Sequence, residues 1–123
     1  MSKHILIVDD CRTTRKLLIY SLKDTHYQIT VASNGIEALE KMASCPVDLV
    51  ITDLNMPKMD GLELVRALRG ETLYNHIPII MLTTEGKEEE KKKGLASGAN
   101  RYLVKPVSRE VLHNQIKELL RGK

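Results

Sequence analysis

Phenylalanine and tryptophan are absent from this chain, and its four tyrosines are scattered. The core must therefore be aliphatic, and the clustered positive charge beside stacking aromatics that marks a nucleic-acid binder is missing. Two cysteines, Cys11 and Cys45, lie far apart with neither metal-ligand spacing nor a Cys-x-x-Cys pattern. That excludes a thiolate metal centre and a dithiol redox pair, and leaves two reduced thiols. His4, His26, His76 and His113 are dispersed, with no pair at ligand spacing. Long apolar runs are lacking too. The run after Lys3 stops at Val8, too short for a signal-peptide core or a membrane span, so a cytoplasmic protein without membrane contact is expected. The net charge is only +3, and Lys91-Lys-Lys93 directly follows Glu88-Glu-Glu90, so the basic run cancels itself. Direct nucleic-acid binding is not expected.

What is present reads as one domain. At 123 residues, 42% apolar and 28% charged, the chain can bury a single core. Ile5-Leu-Ile-Val8 has the uninterrupted apolar character of a strand buried on both faces, and it ends in Asp9-Asp10. A helix follows from about Thr13 to Lys23, with Leu17, Leu18 and Leu22 on its inner face. Further strands are predicted at Gln28–Ala32, Asp48–Thr52, Pro78–Leu82 and Arg101–Val104. Between them, Asn34 with Glu37 and Asp60 with Glu63 resemble reciprocal caps. The first opens a helix with Ile36, Leu39, Met42 and Ala43 inward; the second opens one carrying Leu64, Val65 and Leu68, ending at Gly70. Gly86–Ser97 is helical by its Glu88/Lys92 and Glu89/Lys93 pairs, with a thin apolar face of Leu95 and Ala96. Ser108 caps a last helix with Leu112, Ile116, Leu119 and Leu120 inward. Strands alternating with helices over short loops predict an α/β fold, a doubly wound five-stranded parallel sheet with five helices.

The polar residues that break this pattern all fall at strand ends. Asp9 and Asp10 end strand one, Asp53 ends strand three, Thr83 ends strand four and Lys105 ends strand five. Open α/β sheets bind ligands at that carboxyl edge, and a 2-1-3-4-5 order would put the crevice between strands one and three. Two unit charges about 5 Å apart, at an effective dielectric near 20, repel by about 3 kcal/mol. Three clustered carboxylates therefore need either a retained proton or a cation. An all-oxygen set suits a hard ion such as Mg²⁺. With Lys105 and the Thr83 hydroxyl opposite, the collection suits phosphoryl transfer to the Asp53 carboxylate. Taken singly, Asp9 is also a plausible turn residue, Lys105 a solvated charge and Thr83 a local backbone binder. Their convergence on one rim favours the site.

Ile5-Leu-Ile-Val-Asp-Asp10, Asp53-Leu-Asn-Met-Pro-Lys-Met-Asp-Gly61, Thr83-Thr84 and Lys105-Pro106 together resemble the receiver domain of bacterial response regulators, of the single-domain chemotaxis type. The resemblance runs from about Lys3 to Leu120 and implies the 2-1-3-4-5, flavodoxin-like order. It implies that Asp53 is the phosphoacceptor and that Mg²⁺ is held by Asp10, Asp53 and the Asn55 carbonyl, with Asp9 acting through a metal-bound water. Thr83 and Lys105 would contact phosphoryl oxygens. Tyr102 would turn inward as Thr83 moves toward the phosphoryl group, and a cis Lys105–Pro106 peptide is implied as well. The face built from 86–99, 101–104 and 108–120 would then be remodelled for a protein partner.

The implied function is a phosphorylation-controlled signalling module of a two-component system. It takes its phosphoryl group from a histidine kinase or phosphotransfer protein, and catalyses only its own phosphorylation and dephosphorylation. A flagellar motor switch is one candidate target, and a monomer is expected. Met1 reads as a native start, and residues 1–123 as one receiver domain. The alternatives are a receiver belonging to a longer regulator with a DNA-binding or enzymatic output domain, and a phosphorelay shuttle. A haloacid-dehalogenase-type phosphatase would need an acid where Asn55 stands. Flavin or nucleotide binding conflicts with Asp9-Asp10, which would repel a phosphate in the first loop. The basic balance is unusual, since single-domain chemotaxis receivers are commonly acidic.

Overall fold

The structure is a computed structural model and describes residues 2–121. Five strands, β1 (His4–Val8), β2 (Gln28–Ala32), β3 (Leu49–Thr52), β4 (Ile79–Thr83) and β5 (Arg101–Val104), form one sheet. Its order is β2-β1-β3-β4-β5, and every neighbouring pair is parallel. Five helices alternate with them: α1 (Arg12–Ser21), α2 (Gly35–Ser44), α3 (Gly61–Arg69), α4 (Glu88–Ser97) and α5 (Arg109–Leu120). No helix among the described residues is long and apolar enough to cross a membrane.

The period of two along each strand divides the core into two layers. Ile5 and Ile7 of β1 join Leu49, Ile51, Ile80 and Leu82 under α1 and α5. Leu6 and Val8 join Val50, Ile79 and Met81 under α2 and α3. Covering both faces explains why the strands read as continuous apolar runs rather than alternating ones. The caps follow the sequence signals. Asp60 and Glu63 close a complete capping box at α3, with N–H to carboxylate distances of 3.1 and 2.9 Å. Asn34 accepts from the Glu37 N–H at 2.9 Å, but the Glu37 carboxylate returns to the Ser33 N–H at 2.6 Å, one residue before the cap.

Three helix faces differ from expectation. In α1, Leu18 and the following Leu22 are buried, whereas Leu17 is 61% exposed. In α2 the inward residues are Ala38 and Met42; Ile36 and Ala43 face solvent and Leu39 is partly buried. The phase of α2 is fixed at its start, where Gly35 lies so close to the Met59 side chain that a Cβ would meet Met59 Cγ at 2.5 Å. The α4 helix begins at Glu88 rather than Gly86, and Gly94 is its one buried residue; Leu95 is 41% exposed and Ala96 is exposed too. Its ion pair is Glu90–Lys93 at 3.5 Å, spaced i,i+3, in place of the two i,i+4 pairs.

Candidate functional site

Strands β1 and β3 are neighbours, with Val8 level with Thr52, so the residues that follow emerge side by side. The Asp53 N–H donates to the Val8 carbonyl at 2.9 Å, and the Asp9 N–H donates to Ala32 at 3.0 Å, which keeps both segments extended past their strands. One carboxylate oxygen from each of Asp9, Asp10 and Asp53 lies within 4.8 Å of the others. Asp9 is 2% exposed; Asp53 is half-buried and Asp10 open to solvent.

Among the described residues, one cation pairs with the carboxylates of the cluster. Lys105 Nζ is 2.8 Å from Asp9 Oδ2 and 3.6 Å from Asp53 Oδ2. The peptide between Lys105 and Pro106 is cis. Burial works against the Lys105 ammonium, but the hydrogen bond it donates to Asp9 and the charges of Asp53 and Asp9 outweigh it and raise its pKa. Asp53 is pushed up from the ordinary carboxylate value by burial first and by the Asp9 charge second. Lys105, the Leu54 N–H and the Thr83 hydroxyl offset this only in part. A single lysine does not balance three acids. The Asp53 charge is thus only partly compensated by its surroundings.

Thr83 ends β4 fully buried, and its hydroxyl accepts from the Glu85 N–H at 3.3 Å. On β5, Tyr102 sits inward, only 7% exposed, and its hydroxyl donates to the Glu85 carbonyl at 2.7 Å. The inward position expected of a switched state is therefore one this chain adopts here. Asn55 lies exposed in the loop after β3.

Several residues shape the site without having been singled out for it. Arg15, one turn into α1, donates from Nη1 to the Asp9 carbonyl at 2.6 Å and so fixes the acidic turn. Gly61 is the first residue of α3. A Cβ there would lie 2.2 Å from the Asp53 carbonyl oxygen, so the α3 N-terminus closes on the Asp53 backbone only because position 61 is bare. Gly94 plays the matching part for Tyr102, whose ring carbon Cδ2 would stand 2.9 Å from a Cβ at position 94. The only sequence signal for either was a glycine inside or opening a helix, where its propensity is poor.

The donor set can be tested against a cation on its own chemistry. Three carboxylates converge with no imidazole or thiolate among them, and their formal charge exceeds that of the one lysine paired with them. Such a set fits a hard divalent ion that keeps several waters, and does not fit zinc or copper.

The comparisons with known proteins agree with this frame. The response regulator receiver domain family matches residues 5–117. Chemotaxis protein CheY1 of Helicobacter pylori is 40% identical over 118 residues, covering 94% of this chain and 95% of that protein. The alkaline phosphatase synthesis transcriptional regulatory protein PhoP of Bacillus subtilis is also 40% identical, over 98% of this chain but only 50% of its own length. The solved structure of Vibrio cholerae chemotaxis protein CheY4 superposes with a TM-score of 0.91 at 39% identity, covering 98% of this chain and 100% of that one. The five-stranded 2-1-3-4-5 frame, the matched residues and these relatives lead to one conclusion: the chain belongs to the response regulator receiver domain family.

Proposed function

We propose that this chain is a phosphorylation-controlled signalling module that accepts a phosphoryl group on Asp53 from a phosphohistidine of a kinase or phosphotransfer protein. The observation that carries this reading is the setting of Asp53: an under-compensated carboxylate ringed by Asp9, Asp10, Lys105 and Thr83 on one sheet edge. In the proposed step an Asp53 oxygen attacks phosphorus, the P–N bond breaks, and its electron pair stays on the imidazole nitrogen, which takes up a proton. Water later attacks phosphorus, releasing inorganic phosphate and restoring the carboxylate.

Asp10, Asp53 and the Asn55 carbonyl would hold Mg²⁺, with Asp9 acting through a bound water. When bound, Mg²⁺ supplies charge neutralisation for the phosphoryl oxygens. Lys105 is placed to pair with one phosphoryl oxygen once drawn off Asp9, and the Thr83 hydroxyl to hold another. Asn55 and Glu85 flank the site, and we propose a short-lived phosphoryl state; a lifetime of hours in the purified phosphoprotein would contradict it.

The output surface is proposed to be α4, β5 and α5. Each presents one exposed large apolar side chain, Leu95 at 41%, Val104 at 45% and Val111 at 42%. Phosphorylation adds about −1.5 to −2 charges. It would draw Thr83 toward the phosphoryl group, and we propose that this favours the inward Tyr102 rather than creating it. The equal identity to PhoP, of which this chain spans half, supports a second reading in which the same domain controls an attached DNA-binding output. Incubation with a small phosphodonor tests the module itself: labelling should need Mg²⁺, vanish with EDTA and fall to background in Asp53→Asn. Labelling that survives EDTA would overturn the metal assignment.

A further inference from the structure

Six of the sixteen acids, Asp9, Asp10, Asp53, Asp60, Glu63 and Glu85, lie at or beside the carboxyl edge, yet the net charge is +3. Part of the balancing positive charge lies at the opposite edge. There the segment before β1, the turn before β2 and the last turns of α5 meet. Two adjoining depressions open at this corner. One, of about 280 Å³, is lined by Thr25, His26, Tyr27, His113 and Lys117. The other, of about 320 Å³, is lined by Lys3, Tyr27, Lys117, Leu120 and Arg121. No carboxylate lines either one. Three acids border the corner and each is engaged: Asp24 accepts from Arg109 at 2.6 Å, Glu118 pairs with Arg101 at 3.9 Å, and Asp48, which lines a neighbouring depression with Lys3, accepts from the His4 N–H at 2.8 Å. Among the described residues, no ion pair joins Lys3, Lys117 or Arg121 to an acid.

We propose that this corner docks an acidic segment of a partner protein, with Asp or Glu carboxylates lying along Lys3, Lys117 and Arg121. Charge complementarity sets the class of occupant. A protein segment is favoured over a nucleic acid because the rings at the corner are poor stacking platforms: Tyr27 is packed against the α1/α5 core layer, and His113 is tied to the Ser21 carbonyl at 2.7 Å. The corner lies across the sheet from Asp53, so a partner held here leaves the phosphorylation edge open to a kinase. The site also gives a use to the unusual basic balance of the chain.

The full chain titrated with a fluorescent oligoglutamate peptide at low salt tests the proposal. Binding should saturate, weaken as salt rises, and shift backbone amide resonances around 25–27 and 113–121. Lys117→Glu with Arg121→Glu should weaken it about tenfold. Lys16→Glu with Arg66→Glu, the same charge change on exposed positions of α1 and α3, should leave it within about twofold. Labelling of Asp53 in both double variants checks that they fold. Equal weakening by the two pairs, resonance shifts centred elsewhere, or tighter binding of a single-stranded oligonucleotide of equal length would each overturn it.

Discussion

Asp53 has a charge that the folded chain tolerates poorly, and pH dependence follows from that. Its pKa is raised above the ordinary 3.8 by burial and by Asp9. Between the unfolded and folded values the native state binds more protons, so stability falls as pH rises through that window. In EDTA, Asp53→Asn should therefore be more stable than wild type at pH 7, and the gain should disappear below the unfolded value; denaturant melts at several pH values check this. Lys105 has the opposite sense. Its raised pKa stabilises the fold below the ordinary 10.5, and that contribution is lost as pH climbs through the folded value. Close approach makes a second prediction. Gly61→Ala must displace the Asp53 backbone and should cost about 1–3 kcal/mol, read from the denaturation midpoint. Lys58 is a non-glycine residue at φ 67°, so Lys58→Asn should gain up to about 1 kcal/mol in the same assay.

At the scale of elements, the helix faces separate what a sequence carries from what packing decides. Leu17-Leu-Ile-Tyr20 is a contiguous apolar run, so a 3.6-residue period does not select which residue turns inward. The structure selects Leu18 and Leu22 and leaves Leu17 to solvent. Leu18→Ala should cost about 2–4 kcal/mol and Leu17→Ala under about 0.5, measured by equilibrium unfolding. The same ambiguity hid Ala38 behind Ile36 and Leu39. The strands were legible because burial on both faces needs only apolar character, not phase. The α4 helix was rightly expected to be thinly anchored, and its anchorage is thinner still. Its amides should exchange before those of α3, which buries Leu64, Val65 and Leu68.

For the whole molecule, the parallel order does most of the work of assembly. It turns four strand ends, distant in sequence, into one rim, which is why the convergence of Asp9, Asp10, Asp53, Thr83 and Lys105 is legible in the sequence. Arg15, Gly61 and Gly94 could not be read that way, because each matters only through a neighbour that tertiary packing supplies. An acidic cluster with one lysine should also couple metal binding to folding. At ten times its Kd, Mg²⁺ should stabilise the wild type by about 1.4 kcal/mol, and Asp10→Asn or Asp53→Asn should lose most of that. The most direct measurement of the central claim is chemical trapping. After reaction with a small phosphodonor and Mg²⁺, borohydride reduces an aspartyl phosphate to homoserine. Peptide mass mapping should find homoserine at position 53 and nowhere else; homoserine at another aspartate, or none from a labelled protein, would contradict the account.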